Sequence, residues 1–163
     1  MVPRLEDTSL VSSRWIYKVK KATNGSVEKQ KAIFVAKGFY QVEGIDYEVT
    51  FAPVARYSSI RSILALSAQL GWKIHQMDVK TSFLNSWVIE EEVYIEQMEE
   101  FETFNRESHV CKIKRAFYGF IQAPHAWYTR INNYFTRLGF TKSEANANLY
   151  HTVVEGKLLI IVL

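Results

Sequence analysis

Apolar and polar positions alternate from Trp15 to Lys21 and again from Val27 to Ala36, and the two runs flank Asn24-Gly25. Alternation is the period of a strand, and Asn-Gly supplies the left-handed residues of a tight turn, so a β-hairpin is predicted there. Gly38 and Gly44 punctuate the loop that follows, and Pro53 ends it. Ser58 and Ser59 offer N-caps for a helix running to about Leu70, with Ile60, Ile63, Leu64, Ser67 and Leu70 on its buried face and Gly71 as its stop. Trp72–Val79 alternates again, with Trp72, Ile74, Gln76 and Asp78 on one face and Lys73, His75, Met77 and Val79 on the other. This predicts a strand with Asp78 near its end. Val93–Gln97 and Val110–Lys114 read as short strands that can pair around a Glu-rich segment. Ala123-Pro124 opens a second helix carrying Trp127, Ile131, Tyr134, Phe135 and Leu138, and Gly139 ends it. Leu149–Val154 and Lys157–Leu163 flank Glu155-Gly156 as a second hairpin. The order is β-β-α-β-(β-β)-α-β-β, an α+β fold.

The most apolar stretch, Leu158–Leu163, stands at the end of the sequence. A run of this kind reads as the centre of a sheet buried on both faces, so the chain is expected to be a fragment, or a truncated reading frame, whose next residues are missing. At six residues it is far short of the ~20 that span a bilayer, and no membrane partner is expected. The first residues carry no apolar signal-peptide segment. With 48% hydrophobic and 23% charged residues in 163, the composition is that of a globular domain rather than a disordered or collagen-like chain. One cysteine, Cys111, excludes an internal disulfide framework, and His75, His109 and His151 have no zinc-ligand spacing with it.

Charge is uneven beneath a net +3. Residues 1–61 hold ten Lys/Arg against six Asp/Glu; residues 84–102 hold seven Glu and no Lys or Arg; residues 103–142 hold seven Lys/Arg against Glu107 alone. Basic stretches interleaved with Trp15, Tyr17, Phe34, Phe39, Phe117, Tyr118, Trp127 and Tyr128 suit phosphate neutralisation with base stacking. The same residues also suit a core of aromatics beneath a solvated charged face, and composition leaves both readings open. The triplet Glu90–Glu92 reads as a solvated loop.

Several segments occur in a specific order: W-I-Y-K-V-K (Trp15–Lys20), K-A-I-F-V-A-K-G-F (Lys31–Phe39), G-I-D-Y (Gly44–Tyr47), T-F-A-P-V-A-R (Thr50–Arg56), S-I-R-S-I-L-A-L (Ser59–Leu66), H-Q-M-D-V-K-T-S-F-L-N (His75–Asn85), E-E-V-Y-I (Glu91–Ile95), A-F-Y-G-F-I-Q-A-P-H-A-W-Y (Ala116–Tyr128) and L-G-F (Leu138–Phe140). The set resembles the reverse transcriptase domain of Ty1/copia-type LTR retrotransposon Pol polyproteins, from about Trp15 to the last residue. The resemblance implies a right-hand polymerase, with residues 1–60 as a fingers-like β region and residues 61–163 as a partial palm, a ferredoxin-like antiparallel sheet with two packed helices. It implies RNA-directed DNA synthesis on an RNA or DNA template–primer from deoxynucleoside triphosphates, within the remainder of a Pol polyprotein. It also implies a cytoplasmic virus-like particle with access to the nucleus.

The family's chemistry uses two Mg²⁺ held by three aspartates, because a hard cation takes oxygen ligands. The resemblance makes Asp78 one ligand, while the other two lie in a Y-V-D-D turn that follows a strand like Leu158–Leu163. A fragment with one ligand of three is expected to be inactive. Phe83 matches the bulky ring beneath the incoming sugar, where it leaves no room for a 2′-hydroxyl; it also suits a core position. The backbone amides of Val79 and Lys80 are placed to approach the triphosphate. Lys31 and Lys37 match the fingers strand that meets the triphosphate, but Ile33 stands where the family carries an arginine. Tyr118, Gly119 and Gln122 match the segment beside the nucleotide, with Ile121 for lysine and His125 for arginine. Ser86, Met98, Glu100 and Asn148 also depart from the pattern, as in a decayed copy. The competing readings are a non-catalytic nucleic-acid-binding remnant and a pseudogene-derived interaction protein.

Overall fold

Two glycine-bearing turns set the antiparallel pairs that alternation predicts. At the first, Gly25 takes φ +82° and its N–H donates to Ala22 O at 2.9 Å, while Asn24 Oδ1 accepts from the Ser26 N–H at 3.0 Å. At the second, Glu155 and Gly156 both take positive φ (+50° and +73°), the pairing of a type I′ turn, whose twist matches that of its strands. A computed structural model describes all residues except 6–8, 87–91 and 100. Glu90, Glu91 and Glu100 therefore lie outside the described residues.

Nine strands and two helices occur among the described residues: β1 (Val2–Pro3), β2 (Leu10–Val11), β3 (Ser13–Lys21), β4 (Val27–Ala36), α1 (Tyr57–Leu70), β5 (Tyr94–Ile95), β6 (His109–Lys112), α2 (Ala123–Arg137), β7 (Thr141–Lys142), β8 (Leu149–Val154) and β9 (Lys157–Val162). The fold is α+β, with its strands distributed over three small sheets. The chain divides into two units, Met1–Thr50 with Ser82–Trp127, and Phe51–Thr81 with Tyr128–Leu163.

The first unit holds the sheet β1-β6-β5-β2, in which β2 runs parallel to β5, and the β3–β4 hairpin. The hairpin register is Trp15↔Phe34, Tyr17↔Ala32, Lys18↔Lys31 and Lys20↔Lys29. Val11, Ala36, Val93, Ile95, Ala116, Phe117, Phe120 and Ala123 form the core, with Phe34, Phe83 and Ile113 packed against it. Aromatic rings run into it from the hairpin. Trp15 tilts on Phe34 at 5.2 Å, Phe34 stacks on Phe117 at 5.5 Å, and Phe117 meets Phe120 edge-on at 4.6 Å. Phe117 is core, whereas Tyr17 is 74% exposed.

The second unit holds α1, the larger part of α2 and the sheet β7-β8-β9. Gly71 closes α1 at φ +66°, its N–H donating to Ser67 O. The cap at the other end is Arg56, so Ser58 and Ser59 fall inside the first turn and cap nothing. Tyr150 is fully buried; its hydroxyl donates to Asn132 Oδ1 at 2.9 Å, and Tyr128 OH donates to Ala147 O at 2.8 Å.

The strand expected at Trp72–Val79 does not form. Those residues have no ladder partner and are exposed, Met77 to 80%. The reason lies in the pattern itself: Trp72 and Ile74 share one face with Gln76 and Asp78, and Met77 and Val79 share the other with Lys73 and His75. Neither face is apolar, and burial, which fixes a strand's register, has nothing to act on. Asp78 is therefore not at a strand end. Nor does Ile160–Leu163 lie in a sheet with Ile74–Asp78: among the described residues β9 pairs with β8 alone. With one neighbour instead of two, β9 leaves Leu158 and Leu159 about half exposed (49% and 48%) rather than buried on both faces.

Burial, with the hydrogen bond to Tyr128, raises the Tyr150 phenol above the ordinary tyrosine range. A raised native pKa means that this group's contribution is fully present below the unfolded pKa of about 10 and lost as pH rises beyond it. Alkaline unfolding followed by circular dichroism should therefore steepen above about pH 10 in the wild type and be blunted in Tyr150→Phe. At neutral pH the variant is expected to lose about 1 kcal/mol, the worth of one hydrogen bond.

Candidate functional site

The site is organised by a contact between two pieces of backbone. At the end of β4 the Ala36 N–H donates to Tyr118 O at 2.8 Å, and the Lys37 N–H donates to Ser12 O at 2.8 Å. The chains approach so closely that a Cβ on Gly119 would stand 2.0 Å from Ala36 O, and one on Gly38 would stand 2.2 Å from Gly119 O. Gly119 also takes φ +96°, open to glycine and costly for other residues. Lys37-Gly38 and Tyr118-Gly119 are thus two halves of one joint.

Tyr118 leaves this joint half-buried and meets Phe83 edge-on, with ring centroids 5.0 Å apart and planes at 71°. Phe83 sits in a single 3₁₀ turn, Phe83–Asn85, and packs against the core of the first unit. The core reading of Phe83 holds, since the ring packs against that cluster. Gln122, 3% exposed, follows the joint in sequence and ties its turn to the Gln41–Asp46 loop. Its Oε1 accepts from Gln41 Nε2 at 3.0 Å, its Nε2 donates to Asp46 O at 3.0 Å, and Gln41 Oε1 accepts the Ile121 N–H at 2.9 Å. Asp46, 1% exposed, closes the loop by accepting the Val42 N–H at 2.8 Å and the Ser9 hydroxyl at 3.3 Å.

Phe83, Tyr118, Gly119 and Gln122 thus gather in the first unit. Lys31 stands apart on the exposed hairpin, on a face with Lys18, Lys20 and Lys29, and none of the four has an ion-pair partner among the described residues. Lys37 lies beyond β4, its ammonium 5.9 Å from the Tyr40 ring centroid. Asp78, Val79 and Lys80 belong to the second unit, exposed and outside any helix or strand, ahead of Thr81 at φ +52°. Among the described residues no three His, Cys, Asp or Glu side chains gather as a metal-binding group. The shifted titratable groups lie elsewhere: the Lys112 hydrogen bond, then that of Tyr94, lowers the exposed Glu92 carboxyl below its usual range.

Sequence reasoning named Lys29 only as the start of the Lys29–Lys37 segment, and it missed the roles of Gln41 and Asp46. The hairpin register, fixed once Asn24-Gly25 is the turn, places Lys29 opposite Lys20. Nothing in the sequence pairs Gln41 with Gln122, 81 positions apart.

The family model for reverse transcriptase (RNA-dependent DNA polymerase) matches residues 1–163, and the chain belongs to this family. It is similar to the retrovirus-related Pol polyprotein from transposon RE1 of Arabidopsis thaliana, 37% identical over 161 residues, covering 99% of the chain and 11% of that polyprotein. It is also similar to the Pol polyprotein from transposon TNT 1-94 of Nicotiana tabacum, 39% identical over 137 residues, covering 84% and 10%. These relatives are copia-type retrotransposon polyproteins, and the chain spans about a tenth of their length. No solved structure matches the chain.

The joint predicts a graded glycine series by thermal or urea unfolding. Gly119→Ala should cost about 3 kcal/mol or more, joining a left-handed penalty of about 1–2 to overpacking against immovable backbone. Gly38→Ala should cost about 1–3 kcal/mol from overpacking alone. Gly25→Ala, at a turn with open space around it, should cost only the left-handed penalty of about 1–2 kcal/mol.

Proposed function

We propose that the chain supplies the fingers (residues 1–60) and part of the palm (residues 61–163) of an RNA-directed DNA polymerase within a copia-type Pol polyprotein. Membership of the reverse transcriptase family supports the activity class. The observation that carries the site is the Phe83–Tyr118 contact, seated on the Gly38–Gly119 joint. A ring wedged in this way presents a fixed wall. Placed under the sugar of a deoxynucleoside triphosphate, it leaves no space for a 2′-hydroxyl, and rigidity is what makes such exclusion selective.

The template–primer meets the hairpin on this reading. Lys18 faces Lys31 and Lys20 faces Lys29, and like charges directly opposite each other destabilise a ladder. A phosphate backbone lying on that face removes the repulsion and releases its own counterions. Ile33 shares the face but contributes no charge, so the grip rests on ammonium groups without an arginine fork.

Asp78 would be one ligand of a Mg²⁺ pair, the cation supplying Lewis acidity at the transferring phosphoryl group. The residues present do not fit that pair. Asp78 is the lone carboxylate of residues 71–80, and no three acid, Cys or His side chains gather among the described residues to hold an ion. The 163 residues by themselves are therefore proposed to bind nucleotide and nucleic acid without extending a primer, the remaining carboxylates coming from elsewhere in the polyprotein.

Two measurements test this. On a primed RNA template with Mg²⁺ the chain should give no extension product; extension that disappears in Asp78→Asn would overturn the proposed inactivity. Duplex affinity should fall steeply with salt. In a variant with Lys18, Lys20, Lys29 and Lys31 all replaced by Gln, the slope of log K against log salt should flatten by up to about 0.9 per lysine that met a phosphate. An unchanged slope would remove the hairpin face from the reading.

A further inference from the structure

We infer that Gln41, Gln122 and Asp46 form a positioning relay that sets the sugar selectivity of the Phe83–Tyr118 wall. The inference rests on the reading of Phe83 as the ring beneath the incoming sugar. Residues 118–122 make an irregular turn between the core residue Phe117 and the start of α2, and a turn of this kind has no ladder to hold it. Two attachments hold it instead. One is the Ala36 N–H on Tyr118 O; the other is the pair of bonds from Gln41, which takes the Ile121 N–H at 2.9 Å and gives its own amide hydrogen to Gln122 at 3.0 Å.

Both glutamines are almost fully buried, where an amide is costly unless paired at both ends. Each has both ends engaged: Gln41 on Ile121 and Gln122, Gln122 on Gln41 and Asp46 O. The relay thus ties the Tyr118 turn to the loop that Asp46 closes on Val42 and Ser9. A shift of this turn would carry Tyr118 with it and open the space beside Phe83. Methionine would fill much the same volume at either position: at 41 it leaves the Ile121 N–H unbound directly, and at 122 it removes the partner of the Gln41 amide and of Asp46 O and so frees Gln41 to shift from Ile121, which separates positioning from packing.

Isotope-labelled protein gives the readout. In the wild type the Ile121 amide should be protected from hydrogen exchange, and Phe83 and Tyr118 ring protons should show mutual cross-relaxation. Gln41→Met and Gln122→Met should raise Ile121 exchange by about tenfold or more and weaken the ring contact, while β3 and β4 amides stay as protected as before. Gln41→Glu provides rescue with a pH profile: as the neutral acid it donates to Gln122 and accepts from Ile121, so the contact should be restored at acidic pH and lost as the carboxyl ionises. Binding of a fluorescent deoxynucleoside triphosphate against its ribonucleotide counterpart completes the test, with the preference expected to fall toward unity in the Met variants.

An unaltered ring contact and an unaltered preference in both Met variants would overturn the relay. So would a general loss of protection across β3 and β4, which would make the glutamines folding residues only. If the wild type binds neither nucleotide, the sugar-contact reading falls, and with it the selectivity role assigned to the relay. Exchange and cross-relaxation distinguish that outcome from a relay that does not position Tyr118 at all.

Discussion

The contact of Ala36–Gly38 with Tyr118–Gly119 is the constraint on which the rest of the first unit depends. A Cβ at 119 would run into the Ala36 backbone and one at 38 into the Gly119 carbonyl, so both positions need glycine, and Gly119 must also adopt a left-handed φ. Its consequences run outward. The Ala36–Tyr118 hydrogen bond fixes the root of the hairpin, and Ala36 enters the core beside Val11 and Phe117. The same closeness aims Tyr118 at Phe83. A hairpin that is otherwise exposed along most of its length gains a rigid root from a single joint, which is how a projecting element can present its lysines at a defined place.

That hairpin has two faces of opposite character, and the register produces both. Odd positions of β3 bring Trp15 and Tyr17 to one side, where Trp15 continues through Phe34 into the core. Even positions bring Lys18 and Lys20 to the other, opposite Lys31 and Lys29. A one-residue slip would exchange the faces, driving ammonium groups into the aromatic stack, so burial of Trp15 and Phe34 enforces the lysine face. The charge cluster is therefore a by-product of packing. It is a feature of the register that composition alone cannot distinguish from scattered surface lysines.

Elements with a strong local signal were legible in the sequence. Asn24-Gly25, Glu155-Gly156, Gly71 and Pro124 each act within a few residues, and the two hairpins and two helices stand where those residues put them. β1, β2 and β7 were not legible, because two residues hold no period; only their ladder partners make them strands. Trp72–Val79 shows the opposite failure. Alternation was present, but it sorted apolar and polar residues equally onto both faces, and alternation without an apolar face carries no energy to order a strand. Ser58 and Ser59 were similarly good caps in the wrong register: the extended backbone needed at an N-cap falls on Arg56.

The candidate site was legible in part, for a physical reason. Phe83, Tyr118, Gly119 and Gln122 were named from ordered motifs, and they do gather, but what gathers them is long-range and leaves no local trace. Gly38 looked like loop punctuation and is half of a steric joint. Gln122 looked like a ligand residue, yet both ends of its amide are spent inside the protein. Buried polar groups of this kind are costly unless every partner is in place, so they specify one arrangement of the turn where an apolar filling would permit several. On the proposed reading of Phe83 as the ring beneath the incoming sugar, selectivity against a single hydroxyl needs that uniqueness, because a wall that can step back by an ångström excludes nothing. In this chain two glycines and two glutamines hold the turn that carries Tyr118.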